Sequence, residues 1–216
     1  MKQKLRLSLI AFFILLLFLL FSYLVKKNLF NSFDFDTTVR LQDNIPRRVD
    51  GLFSFFSIIG NFEVITFFLL IIFFAIRKIK TAIIIPIYIL LNFIELYAKY
   101  FIDHLPPPHF LLRTEKLVEF PQFYVRAVNS YPSGHSARSL FLAAILFFLI
   151  YKSKKIKNNL KIALCLLLIV FCFIMLVSRV YLGEHWITDV IGGGLLGLSL
   201  GLISLIFIQS KKVREL

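Results

Sequence analysis

Three polar clusters interrupt an otherwise apolar chain: Lys99; Tyr131-Pro132-Ser133-Gly134-His135; and Ser178-Arg179 followed by His185 and Asp189. Ionisable groups in or beside a membrane-spanning segment are expensive to place there, so they mark function by default. His185 and Asp189 stand four residues apart, which on a helix puts both side chains on one face and lets the carboxylate accept from the imidazole. An imidazole held in this way has a fixed tautomer. Its other nitrogen presents a lone pair and can act as a nucleophile, while the carboxylate stabilises the imidazolium that develops. The same spacing also suits a purely structural pair at a helix start. Ser133-Gly134-His135 offers a hydroxyl, a backbone open to close approach and N–H groups at the positive end of a helix, a combination that binds anions. A plain Pro-Ser-Gly turn, with His135 among lipid headgroups, is the alternative. Lys99 and Arg179 are cations at the edges of apolar runs, and the planar fork of arginine suits phosphate oxygens. Glu95, one helical turn before Lys99, offers that lysine an internal ion pair. Together the clusters read as a phosphate-handling site.

The elements that must position them are membrane helices. With 59% hydrophobic residues, 26 Phe and a mean hydropathy of +0.84, the chain exceeds what a soluble domain of 216 residues needs for its core. The net charge of +13 does not point to a nucleic-acid partner, because the Lys and Arg fall in short clusters between apolar runs and form no continuous basic face. Cys165 and Cys172 lie inside one apolar run and read as packing residues. Windows of about 20 apolar residues meet the spanning criterion near 5–25, 59–76, 81–101, 136–151, 160–180 and 185–208. The first has cations before it, but its apolar run is long and Lys26-Lys27 follows without a small-residue cleavage site, so a retained helix is expected rather than a signal peptide. The fourth gains sufficient length only if its helix starts near Pro132, a residue tolerated in a first turn. One domain, 1–216, is expected.

Cations orient the spans. Lys2, Lys4, Arg6, Arg77, Lys78, Lys80, Lys152, Lys154, Lys155, Lys157, Lys161, Lys211, Lys212 and Arg214 fall in short segments on one side. The two longer connections on the other side carry only Lys26, Lys27, Arg40, Arg47, Arg48, Arg113, Lys116 and Arg126, diluted by seven acids from Asp34 to Glu119. The positive-inside rule then puts both termini in the cytoplasm and both long connections outside. Lys26-Lys27 dissents and can snorkel at the outer interface. In that topology Lys99, Ser133 to His135, Ser178-Arg179 and His185 with Asp189 all arrive at the outer face, at four helix ends. The stretch 31–50 reads as an interfacial helix or loop, or a simple connector. Pro106-Pro107-Pro108 ends the third helix and begins an outer loop, about 102–131. Gly192-Gly193-Gly194 and Gly197 suit close helix packing inside the monomer, and they leave the oligomeric state open.

The clusters resemble the membrane branch of the type 2 phosphatidic acid phosphatase and vanadium haloperoxidase superfamily. Its signatures are Lys-x6-Arg-Pro, Pro-Ser-Gly-His and Ser-Arg-x5-His-x3-Asp. The second is complete as Pro132-Ser133-Gly134-His135 and the third as Ser178-Arg179, His185 and Asp189; the resemblance covers about 81–208. The first is defective, since Lys99 is followed by Pro106-Pro107 and Pro106 stands where the family has Arg. Arg138, three residues after His135 on the same helical face, is a candidate replacement for that phosphate donor, with His104 and Arg113 as others; headgroup contacts are the alternative for the last two.

The resemblance implies an all-α polytopic fold of six transmembrane helices with a composite extracytoplasmic active site. It also implies a two-step phosphoryl transfer. His185 attacks phosphorus, Asp189 steadies it, His135 protonates the leaving oxygen, and Lys99, Ser133, Gly134, Arg179 and Arg138 hold the phosphate. No metal or cofactor is required. The implied partners are the bilayer and a lipid phosphate such as a polyprenyl diphosphate, phosphatidate or phosphatidylglycerol phosphate, in a bacterial cytoplasmic membrane. A lipid phosphotransferase using the same nucleophile and a lipid-phosphate binding or transport protein are rival readings. Six lipid-facing spans argue against vanadate-dependent halide oxidation.

Overall fold

A computed structural model describes residues 2–76, 82–114 and 128–208. The cations Arg77, Lys78, Lys80, Lys116, Arg126, Lys211, Lys212 and Arg214, on which part of the orientation argument rests, lie outside the described residues. The described chain is all-helical: α1 (Lys2–Lys26), α2 (Asn31–Asn44), α3 (Asp50–Ile59), α4 (Phe62–Ile76), α5 (Ile84–Phe101), α6 (Gly134–Lys152), α7 (Asn158–Tyr181) and α8 (Ile187–Ile208), with short 3₁₀ turns at Arg47–Val49 and His109–Leu111. Helices α1, α5, α6, α7 and α8 are each long and apolar enough to cross a bilayer, and they correspond to five of the six expected spans.

The second span differs from expectation. Instead of one helix over 59–76, the segments Arg47–Ile59 and Phe62–Phe74 qualify only together, bent by 49°. At 1.5 Å per residue α3 and α4 are about 15 and 22 Å long, short of the roughly 30 Å hydrocarbon layer, so neither suffices alone. At the break Gly60 N donates to Ser57 O and Asn61 N to Ile58 O, both at 3.1 Å, and these tighter closures keep the backbone satisfied there. Apolar periodicity registers only the straight half of such a span.

Helix α8 is the centre of the bundle, packed chiefly against α6 and α1. Glycine makes the α6 contact possible: a Cβ on Gly193 would overlap the Ser133 carbonyl oxygen, and one on Gly197 would overlap that of Ala137. The glycines therefore serve close packing within the chain, where small residues let backbones approach in a lipid medium. Helices α1 and α7 present Phe12, Phe13, Leu16, Leu166, Leu167 and Phe173 outward, an apolar surface of the kind a bilayer covers. The protein is an integral membrane protein. Cys172 is buried and Cys165 partly so, and both are free thiols.

Helix α2 is amphipathic in the reverse sense. Asp34, Thr38 and Gln42, at helical spacing, are buried, whereas Phe33 and Phe35 are exposed. Gln42 Nε2 donates to Leu111 O at 2.7 Å and to Tyr181 O at 2.8 Å, and Asp34 receives two bonds from Thr188. Polar contacts thus dock α2 against the ends of α7 and α8.

Candidate active site

Four helix ends meet at one end of the bundle. The Ser133 N–H donates to Asp189 O at 2.9 Å, which ties the start of α6 to the start of α8. Ser133 also caps α6, its Oγ accepting from Ser136 N at 3.4 Å. Lys99 lies in the last turn of α5 and Arg179 in the last turn of α7.

The dyad expected from the i,i+4 spacing is formed. His185 Nδ1 lies 3.2 Å from Asp189 Oδ2; since a carboxylate accepts, Nδ1 carries the proton and Nε2 keeps its lone pair. The same Oδ2 accepts from Trp186 N at 3.0 Å. Burial disfavours the imidazolium of His185, Asp189 opposes that effect, and the charges of Arg179 and Lys99 add to it. The net result holds its pKa below the ordinary histidine value. A nucleophilic imidazole must be neutral, so this environment suits the role.

His104 occupies the other side of Asp189. Its Nδ1 is 2.9 Å from Asp189 Oδ1 and its Nε2 is 3.4 Å from Asp34 Oδ2. Burial works against its protonation, but the two carboxylates outweigh it and raise its pKa to about 9. The imidazolium therefore neutralises two buried acids at neutral pH. Both ring nitrogens of His104 thus face carboxylates, and in this structure it stands as an ionic clamp on Asp189, the partner of His185, rather than as a free phosphate donor or headgroup contact. Arg113 is engaged as well, one terminal nitrogen of its guanidinium donating to Gln42 O and the Tyr181 hydroxyl, at 3.1 and 3.2 Å.

Arg179 is buried, with one terminal nitrogen donating to Ser57 Oγ and the other paired with Glu184 Oε2, both closely. Arg138 donates from one terminal nitrogen to Glu95 Oε2 at 2.6 Å and Asn92 Oδ1 at 3.2 Å. Lys99 Nζ donates to Glu95 Oε1 at 2.8 Å. Among the described residues the Nε groups of Arg138 and Arg179 are buried without an acceptor, so each arginine keeps a donor uncommitted, a costly arrangement unless an anion is to be bound. The sequence expectation that Lys99 pairs with Glu95 is met, and Arg138 shares the same acid. At Gly134 a Cβ would overlap the Glu95 carboxylate, so the absent side chain opens the α6 N-terminus to an acidic group.

His135 lies within the field of Arg179, Arg138, His185 and Lys99, which places it in the same cluster. Its Nε2 shares a 2.7 Å hydrogen bond with Asn61 Oδ1; a carbonyl oxygen accepts, so Nε2 carries the proton and Nδ1 is the basic nitrogen. The bent span supplies this partner: Asn61 is at the break, and a Cβ on the preceding Gly60 would come within 2.9 Å of His135 Cδ2. Sequence reasoning missed Asp34, Ser57, Asn61 and Glu184. Only Glu184 carried a signal, as an acid adjoining His185 and five residues after the buried Arg179.

A family profile described as the PAP2 superfamily matches residues 80–212. The chain belongs to the PAP2 superfamily. Phosphatidylglycerophosphatase B of Bacillus subtilis (strain 168) is 35% identical over 71 residues, which cover 33% of this chain and 35% of that protein; the match thus spans about a third of the curated relative's length. The crystal structure of the first transmembrane PAP2 type phosphatidylglycerolphosphate phosphatase from Bacillus subtilis superposes with a TM-score of 0.77 at 21% identity, covering 94% of this chain and 98% of that one. Aquifex aeolicus LpxE gives a TM-score of 0.59 at 26% identity, covering 80% and 94%. This PAP2 chain therefore shares its helical architecture with membrane proteins of the superfamily, while Pro106 in place of the signature Arg remains its own departure.

Proposed function

We propose that this protein is an integral membrane phosphatase that hydrolyses a lipid phosphomonoester or diphosphate through a phosphohistidine. The observation that carries the reading is the His185–Asp189 dyad, with its Nε2 lone pair unprotonated and the charges of Arg179 and Lys99 acting on it. In the first step Nε2 forms a bond to phosphorus as the bond to the leaving oxygen breaks, and His135 Nδ1, protonated when substrate is bound, delivers the proton to that oxygen. In the second, water attacks the phosphohistidine, the phosphorus–nitrogen bond breaks, and His135 takes the water's proton. General acid–base assistance of this kind is worth about 100- to 10,000-fold. Lys99, Arg138, Arg179 and the α6 N-terminus neutralise the charge on the equatorial oxygens, so cationic side chains do what a metal does elsewhere.

A cavity of about 990 Å³ beside the site is lined by Phe35, Leu96, Lys99, Tyr100, His104 and Trp186, among others. Its lining combines apolar walls with Lys99, His104, Asp34 and Asp103, and the apolar part suits a lipid arriving from the side with its tail in the bilayer. The site faces the extracytoplasmic side of a bacterial cytoplasmic membrane, both termini are cytoplasmic, and residues 1–216 form one domain. The names of the Bacillus relatives make phosphatidylglycerophosphate the first substrate to assay. Purified protein should release phosphate from a panel of lipid phosphates in nanodiscs, insensitively to EDTA, and His185→Ala should abolish release. Wild-type turnover in that variant overturns the reading.

A further inference from the structure

The groups that would grip a substrate phosphate already hold an anion that belongs to the protein. Glu95 presents one carboxylate oxygen to Lys99 Nζ at 2.8 Å and the other to Arg138 at 2.6 Å, and its carboxylate sits where a Cβ on Gly134 would be. Gly134 is the first residue of α6, and a helix start with a close-approach glycine and two flanking cations is an anion cradle by its physics. Glu95 is buried. Among the described residues Arg138 and Arg179 each retain a buried Nε without an acceptor, so the carboxylate, with only two oxygens, leaves unused donors that a tetrahedral anion with more oxygens can satisfy.

We propose that Glu95 is a resident surrogate for the phosphate, which substrate must displace, and that it thereby selects dianionic terminal phosphates against the monoanionic phosphodiesters of the surrounding bilayer. This rests on the phosphatase reading above. A tethered carboxylate competes at a high effective concentration. A phosphodiester also carries one charge, so it gains nothing by exchange and loses to the tethered group. A phosphomonoester or a terminal diphosphate group carries close to two charges at neutral pH and offers three oxygens, so it outcompetes the carboxylate for Lys99 and Arg138 and reaches the uncommitted arginine donors. The apparent affinity of any anion falls with the fraction of protein whose cradle is free, so removing the internal competitor raises it. The selectivity is needed because diester lipids vastly outnumber monoester lipids around any such site, and an ungated cradle would be saturated by them.

The test uses the full-length protein in nanodiscs made of an uncharged, phosphate-free lipid. Methyl phosphate and dimethyl phosphate are titrated calorimetrically into wild type, Glu95→Gln and Glu95→Asp. Wild type should bind methyl phosphate and not measurably bind dimethyl phosphate. Glu95→Gln should bind methyl phosphate about tenfold more tightly, as expected when an occupied fraction of about nine-tenths is released, and should bind dimethyl phosphate measurably, so the two affinities converge. Glu95→Asp, whose carboxylate is withdrawn by one methylene but keeps its charge, should tighten methyl phosphate by less and retain discrimination. Unchanged or weaker methyl phosphate binding in Glu95→Gln with a wild-type unfolding midpoint overturns the proposal, as does an unchanged ratio between the two anions. If Glu95→Gln does not fold, Glu95→Asp decides alone: no tightening overturns it. Wild type that releases no phosphate from any lipid removes the phosphatase reading, yet tightened binding in Glu95→Gln still supports the surrogate; turnover in wild type with unaltered binding in the variant overturns the surrogate only.

Discussion

Replacing His104 by glutamine tests whether Asp189, the acid behind His185, is held by charge. His104 faces Asp189 of α8 through Nδ1 and Asp34 of α2 through Nε2, and the edge of its ring meets Tyr131. Its pKa rises from an ordinary 6.5 to about 9, which corresponds to about 3 kcal/mol of stability linked to one proton. Because the folded-state value is raised, that contribution is complete below pH of about 6.5 and is lost as pH climbs through about 9. His104→Gln removes the cation while leaving two buried carboxylates, a change that typically costs about 3–5 kcal/mol. The assay is thermal unfolding of purified protein in detergent from pH 6 to pH 10, followed by fluorescence of Trp186, the single tryptophan. Its indole Nε1 donates to Leu105 O at 2.7 Å, close to the site. Wild type should lose stability steadily between pH 7 and pH 10, and the variant should start lower and lack most of that decline. Parallel curves for the two proteins would refute the clamp.

Three further outcomes are expected. Asn61→Ala removes the acceptor that fixes the His135 tautomer and should lower kcat by about tenfold or more with little change in KM, measured by steady-state phosphate release. Lys99→Met takes away one of the positive charges that lower the His185 pKa, so the acid limb of kcat/KM should move to higher pH, in addition to a fall in rate; a limb that stays in place removes Lys99 from the surroundings of His185. Gly197→Ala drives a methyl group into the Ala137 carbonyl between α8 and α6 and should lower stability by about 1–3 kcal/mol, read as a reduced unfolding midpoint.

Lys99, Ser133 to His135, Arg179, His185 and Asp189 were legible because charge and glycine stand out against an apolar background and because i,i+4 spacing fixes which helical residues meet. The five straight spans were legible for the same reason that hydropathy works at all: a lipid-crossing helix must be predominantly apolar over about 20 residues. The supporting residues were not. Asp34, Ser57 and Asn61 reach the site from α2, α3 and the break before α4, and no local pattern connects them to partners more than 70 residues away. Helix α2 was legible only as an interfacial helix, loop or connector; that Asp34, Thr38 and Gln42 face the protein while Phe33 and Phe35 are exposed follows from partners at Leu111, Tyr181 and Thr188 that no local pattern announces. His104 was visible as a candidate cation, but its role as a bridge between two acids depends on the fold bringing Asp34 to it.

The kink at Gly60-Asn61 has a consequence for attempts to improve this protein. Straightening the segment would restore regular helical hydrogen bonding at the break, the local gain that helix-favouring substitutions seek. The same change would swing the Asn61 amide off His135 and push a side chain into the imidazole's place. Selection for robustness alone should therefore drift toward variants that fold better and turn over less, and selection for turnover should keep the irregularity.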